Sequence, residues 1–182
     1  MKALLLVMGM IGTGKTTVAH ALARELEMAL ISSDPLRKEL AGLDPYEKRE
    51  EEFDKGLYSP EMTELVYTTM VERARNALKQ GKGVILDATF SQKRWRDMAR
   101  KMAKELGAPC LLVITTAPPE VVKERLDKRK KEEVVSDGRW EIYLKHRERF
   151  QEPQDEGPMV VLDTRESLNS LVKTVKEVLN GL

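Results

Sequence analysis

The chain has 182 residues, a formal net charge of +1 and 34% charged residues. That length suits one domain with a full core, and the net charge by itself points to no class of partner. Cys110 is the only cysteine, which excludes an intrachain disulfide, and no apolar run reaches the length of a membrane span. Cys110 opens the apolar run Cys110-Leu111-Leu112-Val113-Ile114, where a buried structural thiol is expected.

In chain order, residues 3–8 form an apolar run of strand length. The run leads straight into Gly9-Met10-Ile11-Gly12-Thr13-Gly14-Lys15-Thr16 rather than into a small-residue cleavage site, so it reads as a strand and not as a secretory leader. A cytoplasmic protein is expected. The octapeptide fits the G-x-x-x-x-G-K-[ST] phosphate-binding loop without a mismatch, and Thr17-Val18-Ala19-His20-Ala21-Leu22-Ala23 continues as a helix. Gly9, Gly12 and Gly14 let the backbone turn so that its N–H groups, including those of Thr13 and Thr17, converge on a phosphate. The helix start adds a positive dipole end. Lys15 is long enough to reach terminal phosphates, and the Thr16 hydroxyl is a hard oxygen ligand for Mg²⁺.

Ala29-Leu30-Ile31-Ser32 is the next strand, followed by Ser33-Asp34-Pro35-Leu36-Arg37. Asp before Pro reads as a helix N-cap and first-turn pair. A polar excursion is expected over residues 44–56. From Pro60 to Lys79 the pattern is helical, with Thr63, Tyr67, Met70, Val71, Ala74 and Leu78 on one face and Ser59-Pro60 as its start. A strand follows over residues 83–87. A helix over 91–106 carries Trp95, Met98, Ala99, Met102, Ala103 and Leu106 inward, and Gly107 ends it. A strand over 110–115, a helix from Pro119, a strand over 159–162 and a last helix with Leu168, Leu171, Val172, Val175 and Leu179 complete the chain. The alternation predicts a single α/β domain, a three-layer α/β/α sandwich on a five-stranded parallel sheet.

In an open parallel sheet, ligands meet the carboxyl ends of the strands. Asp34 follows the second strand and Arg37 lies three residues on, a carboxylate and a guanidinium suited to a general base and an acceptor-positioning group, or to an ordinary ion pair. Asp87 ends Val84-Ile85-Leu86-Asp87, which suits either a strand-end turn or a second, Mg²⁺-directed carboxylate. Arg125, Lys128, Arg129, Lys130 and Lys131 crowd the stretch after the fourth strand. They read as a solvated helix with pairs such as Glu124 and Lys128, as a lid over about residues 125–139 whose arginines close on a transferring phosphoryl group, or as a nucleic-acid-binding surface. Arg125, one turn before Arg129, is placed to touch the nucleotide from the same face.

With these residues in place, the chain resembles small P-loop kinases related to the kinase domain of polynucleotide 5′-hydroxyl kinases. The resemblance rests on Gly9 to Thr17, Ser33-Asp34-Pro35-Leu36-Arg37, Tyr58-Ser59-Pro60 with Val66-Tyr67, Val84 to Phe90, Arg125-Leu126-x-x-Arg129, Ser136-Asp137-Gly138-Arg139 and Glu152-Pro153. More distantly the chain is similar to gluconate kinase, zeta toxin and antibiotic phosphotransferases. The resemblance implies a nucleoside-kinase-like P-loop fold with a helical lid, and ATP with Mg²⁺ as cofactors. It implies Asp34 as general base, Arg37 as the grip on an acceptor phosphate and Arg129 as the lid arginine. Ala88-Thr89-Phe90 departs from the more polar run of polynucleotide kinases. The acceptor hydroxyl therefore stays open between a nucleic-acid 5′ end and a small sugar, nucleoside or antibiotic. A regulatory ATP-binding module without an acceptor is the rival reading.

Overall fold

The computed structural model describes residues 1–44, 56–131 and 138–182. Most of the expected polar excursion and the centre of the expected lid, including Ser136 and Asp137, lie outside the described residues.

Five strands, β1 (Leu4–Met8), β2 (Ala29–Ser32), β3 (Val84–Asp87), β4 (Cys110–Thr116) and β5 (Met159–Asp163), form one parallel sheet in the order β2-β3-β1-β4-β5. The helices are α1 (Lys15–Leu26), α2 (Ser33–Leu40), α3 (Pro60–Lys79), α4 (Lys93–Glu105), α5 (Pro119–Lys131), α6 (Gly138–Arg149) and α7 (Leu168–Asn180), with a 3₁₀ turn at Gly56–Tyr58.

The central strand β1 is buried on both sides, and its alternation decides the layers. Leu4, Leu6 and Met8 pack with Val66, Tyr67, Met70, Ala99 and Met102 of α3 and α4. Leu5 and Val7 pack on the other face with Val18, Leu22, Leu171 and Val175 of α1 and α7. Each of these fully buried aliphatic side chains is worth roughly 1.5–3 kcal/mol against exposure. The predicted α/β/α sandwich is therefore the observed architecture.

Two local starts differ in how they are made. Ser59 caps α3 as its sequence suggests, its hydroxyl accepting from Met62 N at 3.2 Å, with Pro60 at the first helical position. Asp34, by contrast, is not the cap of α2. The helix begins at Ser33 and the flanking residue is Ser32, whose side chain makes no capping bond. Ser32 Oγ donates instead to Asp87 Oδ2 at 2.8 Å, so a residue of β2 serves the end of β3. The Cys110 thiol is pushed up to about 12 by burial, although the nearby Arg100 charge opposes the rise, which makes it an inert core group.

Candidate active site

The strand order places the ends of β1 and β3 side by side, with Val7 paired to Asp87. The loop after β1 and the carboxylate at the end of β3 therefore face one another.

The loop is held from behind by three threonines and an arginine. The Thr13 hydroxyl donates to Met10 O at 2.6 Å and lies 2.8 Å from Thr115 Oγ1, which in turn lies 3.2 Å from Met8 O. Thr164 Oγ1 donates to Thr13 O at 2.7 Å. Arg125 reaches the same place from α5, donating through Nη1 to Gly12 O at 3.3 Å and to Thr164 Oγ1 at 2.8 Å, and through Nη2 to Thr164 O at 3.1 Å. A Cβ on Gly9 would lie 2.3 Å from Thr115 Oγ1, and one on Gly12 would lie 2.9 Å from Val122 Cγ1. These glycines are required by close approach as well as by the turn. Gly14 precedes α1 in a left-handed conformation (φ 87°) with no side-chain cap, leaving the first-turn N–H groups for an anion. Lys15 is half-buried, while Thr16 and Thr17 are exposed at the helix start.

Across the loop, Asp87 is 3% exposed. Its Oδ2 accepts from Ser32 and, at 3.1 Å, from Thr16 Oγ1. Its Oδ1 is buried with no hydrogen-bond partner among the described residues. Burial pushes the Asp87 carboxyl above its usual range; the Lys15 charge and the Ser32 and Thr16 hydrogen bonds oppose this, and the negative charge of Asp34 adds to it. A buried carboxylate oxygen without a partner, beside a threonine hydroxyl at a phosphate loop, fits Mg²⁺ chemistry. Among the described residues no group of three or more His, Cys, Asp or Glu could hold a metal by itself. That donor set matches an ion shared with a bound phosphate chain.

The expected Asp34–Arg37 pair is split by burial. Asp34 is exposed at the start of α2, close enough for its charge to act on both Asp87 and Tyr67. Arg37 is 7% exposed and turns inward. Its Nη1 donates to Leu57 O and to Thr63 Oγ1, each at 3.0 Å, and its guanidinium lies 4.9 Å from the centre of the Tyr58 ring. Its Nε is buried without a hydrogen-bond partner among the described residues.

The wall beyond Asp87 is built by a segment whose contacts the sequence does not announce. Phe90 is fully buried and adopts a left-handed backbone (φ 48°). Its N–H donates to Tyr67 Oη at 3.0 Å, and its carbonyl accepts from Arg96 Nη1 at 2.7 Å. Arg96, 0% exposed, forms a two-armed ion pair with Glu156 at 2.9 Å on each arm, and Arg100 adds a third contact to Glu156 at 2.8 Å. Gln151 N donates to Ser91 O at 2.8 Å, so the segment after α6 is pinned to the residue following Phe90.

Arg129 is exposed on α5, one turn beyond the anchored Arg125. Lys128 pairs loosely with Glu124 at 3.6 Å, both side chains being well exposed. His20 is exposed on α1.

A family model described as an AAA domain matches residues 4–153. The chain belongs to this AAA-domain family. Uncharacterised proteins of Mycobacterium tuberculosis and Mycobacterium bovis are 32% identical to it over 123 residues, 68% of this chain and 25% of theirs. The matched stretch thus spans about a quarter of the length of these curated relatives. Among solved structures, a gluconokinase from Sinorhizobium meliloti superposes with a TM-score of 0.69 at 18% identity, covering 98% of this chain and 91% of that one. The APS kinase CysC of Mycobacterium tuberculosis, in complex with AMPPNP and APS, gives a TM-score of 0.69 at 19% identity over 98% and 97% of the two chains. Chaetomium thermophilum Kti12, in complex with ADP-AlF3, gives 0.68 at 19% identity over 97% and 98%. These similarities establish the fold of the P-loop kinases for this AAA-domain member. Among the described residues no helix is long and apolar enough to cross a membrane.

Proposed function

We propose that this protein is a kinase that transfers the γ-phosphoryl group of ATP to an alcohol hydroxyl. The observation that carries the reading is the meeting of the phosphate loop with Asp87, whose buried Oδ1 lacks a partner while its Oδ2 accepts from Thr16. Thr16 and Asp87 would hold Mg²⁺, which when bound neutralises charge on the β- and γ-phosphates. The backbone N–H groups of Gly12 and of Gly14 to Thr17 would cradle the phosphates, the Thr13 N–H being bonded to Met10 O, and Lys15 would bind the terminal phosphates.

Asp34, exposed and within electrostatic reach of Asp87, is the general base that takes the proton of the attacking hydroxyl. A regulatory ATP-binding module needs no such group at that place. Arg129, free of the core on α5, is the lid arginine that closes on the transferring group. Arg125, expected to touch the nucleotide, also holds the phosphate loop. Its bonds to Gly12 and Thr164 make it a brace that presents the phosphate loop.

A small-molecule alcohol is favoured over a nucleic-acid 5′ end by the state of Arg37. The residue expected to grip an acceptor phosphate is bound to Leu57 and Thr63 and lies against Tyr58. The gluconokinase and the APS kinase that share this fold agree with that preference. The deciding experiment is transfer from γ-labelled ATP with Mg²⁺ to a panel of sugars, nucleosides, antibiotics, 5′-hydroxyl RNA and 5′-hydroxyl DNA. Label in a small alcohol supports the reading. Label in a nucleic-acid end replaces the acceptor class. Label in inorganic phosphate alone makes the protein an ATPase, and label that stays in ATP reduces it to an ATP-binding module.

A further inference from the structure

Tyr67, Thr89 and Phe90 form a directional chain of hydrogen bonds at the acceptor side of the site. Tyr67 Oη accepts from Phe90 N at 3.0 Å and lies 3.3 Å from Thr89 Oγ1. The phenol is buried on α3, between the Phe90 ring at 5.2 Å and the stacked Trp95 ring at 5.0 Å. A buried phenolic proton needs an acceptor, and among the described residues Thr89 Oγ1 is the one within reach. With its oxygen engaged by Phe90 N–H, Tyr67 therefore donates to Thr89. That leaves the Thr89 hydroxyl proton unspent. No other partner for it is found among the described residues, and Thr89 is half-buried rather than enclosed.

The place of this proton matters. Thr89 stands two residues beyond Asp87, and the Tyr67 phenol feels the charges of both Arg37 and Asp34. The left-handed turn at Phe90 presents Thr89 here, and two side chains hold that turn: Tyr67 on the N–H and Arg96 on the carbonyl. A buried residue without Cβ freedom in this conformation costs on the order of 1–3 kcal/mol and persists where its surroundings over-determine it.

We propose that Thr89 is a specificity-determining residue that donates a hydrogen bond to a second oxygen of the acceptor, next to the hydroxyl that Asp34 deprotonates. Tyr67 is its positioning residue, acting through the Thr89 oxygen. The acceptor class that follows is an alcohol carrying a neighbouring hydroxyl or ether oxygen, as in sugars and polyols. Donation along the chain from Phe90 N–H through Tyr67 polarises the Thr89 hydroxyl and strengthens its outward bond. This inference rests on the kinase reading above.

The test uses the full chain, Mg·AMPPNP as nucleotide probe and the best small alcohol of the transfer panel beside its analogue lacking the adjacent oxygen. Thr89→Val keeps the shape and removes the donor; Thr89→Ser keeps the donor. The expected result is unchanged Mg·AMPPNP affinity in both variants, a roughly 10–100-fold fall in kcat/KM for the alcohol in Thr89→Val, and recovery to within about threefold in Thr89→Ser. The analogue lacking the oxygen should lose that factor in the wild type and lose no more in Thr89→Val. Tyr67→Phe should raise KM for the alcohol more than it lowers kcat. The proposal is overturned if Thr89→Val transfers as well as the wild type, if Thr89→Ser fails to recover, or if Mg·AMPPNP binding falls in parallel. A wild-type protein that binds Mg·AMPPNP and phosphorylates no alcohol overturns the kinase reading and this proposal with it, and that failure is visible before any variant is made.

Discussion

Thr16 Oγ1 donates to Asp87 Oδ2 at 3.1 Å, joining the first turn of α1 to the end of β3 across 71 positions of sequence. The bond leaves Asp87 Oδ1 buried and unmatched. The fold therefore carries a carboxylate whose ionisation is disfavoured by burial.

Asp87 has a folded pKa raised above its unfolded value, so its contribution to stability is present below about pH 4 and is lost as pH rises through the folded value. Asp87→Asn keeps an acceptor for Thr16 and Ser32 and removes the buried charge. Its Tm without nucleotide at pH 7 should equal or exceed that of the wild type. The extra Tm gained with Mg·ATP over ATP alone should vanish. A variant that melts lower and still gains the Mg²⁺-dependent increment would break the assignment.

Lys15→Ala removes one cation from the phosphate loop without touching the core, since Lys15 is only half-buried. Phosphoryl transfer should fall by on the order of 10²-fold or more, the scale of one lost transition-state donor, while the melting temperature falls only slightly, because the buried Asp87 carboxylate loses the Lys15 charge that offsets its burial. Arg129→Ala should lower kcat and leave nucleotide affinity within about twofold, because Arg129 stands clear of the loop that Arg125 braces. Steady-state kinetics beside nucleotide titration separate the two effects.

Asp34→Asn should suppress transfer by roughly 10²–10⁴-fold while ATP affinity holds. The exposed position at the start of α2 makes the substitution nearly neutral for stability. Equal losses in ATP binding and in turnover would place Asp34 among the nucleotide ligands and leave the base unassigned.

Glu156→Gln tests the support of the acceptor wall. Burial pushes the Glu156 carboxyl up, but hydrogen bonds from Arg96 and Arg100 and their charges outweigh it and hold the group at about 2. A depressed carboxylate gives stability that is present above the unfolded value near 4 and is lost as pH falls toward 2. Wild-type stability should therefore decline between about pH 4.5 and pH 2, and this part of the decline should be absent in Glu156→Gln. At pH 7 the variant leaves the fully buried Arg96 without its counter-charge and should lose about 3–5 kcal/mol in denaturant unfolding.

The phosphate loop and the sheet were legible because their signals are local. Gly9 to Thr16 is a contiguous spacing, and each strand is an apolar run between helix-period segments. Ser59-Pro60 read correctly for the same reason. Most of what the sequence does not announce turns on a partner far along the chain. Arg96 sits on a helix of very polar composition, and its burial depends on Glu156, 60 residues later. Val66 belongs to the buried face of α3, where the expected six-residue face has the half-buried Thr63 instead. Asp34 is not the cap because α2 already begins at Ser33, which puts Asp34 inside the first turn, and Arg37 turns inward where Leu57 and Thr63 offer acceptors. Thr115 and Thr164 brace the loop through single hydroxyls, and a lone threonine at a strand end carries no pattern of its own.

The strand order has a cost during synthesis. β1 leaves the ribosome first, yet its hydrogen-bonding neighbours are β3 and β4, which begin at Val84 and Cys110. At roughly 5–20 residues per second, Leu4–Met8 waits for several seconds or more before either edge can be paired. During that interval the nascent chain displays Leu-Leu-Leu-Val-Met, a stretch without charge or proline. Native contacts of such long sequence separation also slow spontaneous refolding. The strand that leads into the phosphate loop is thus the one that waits longest for its neighbours before the sheet can close.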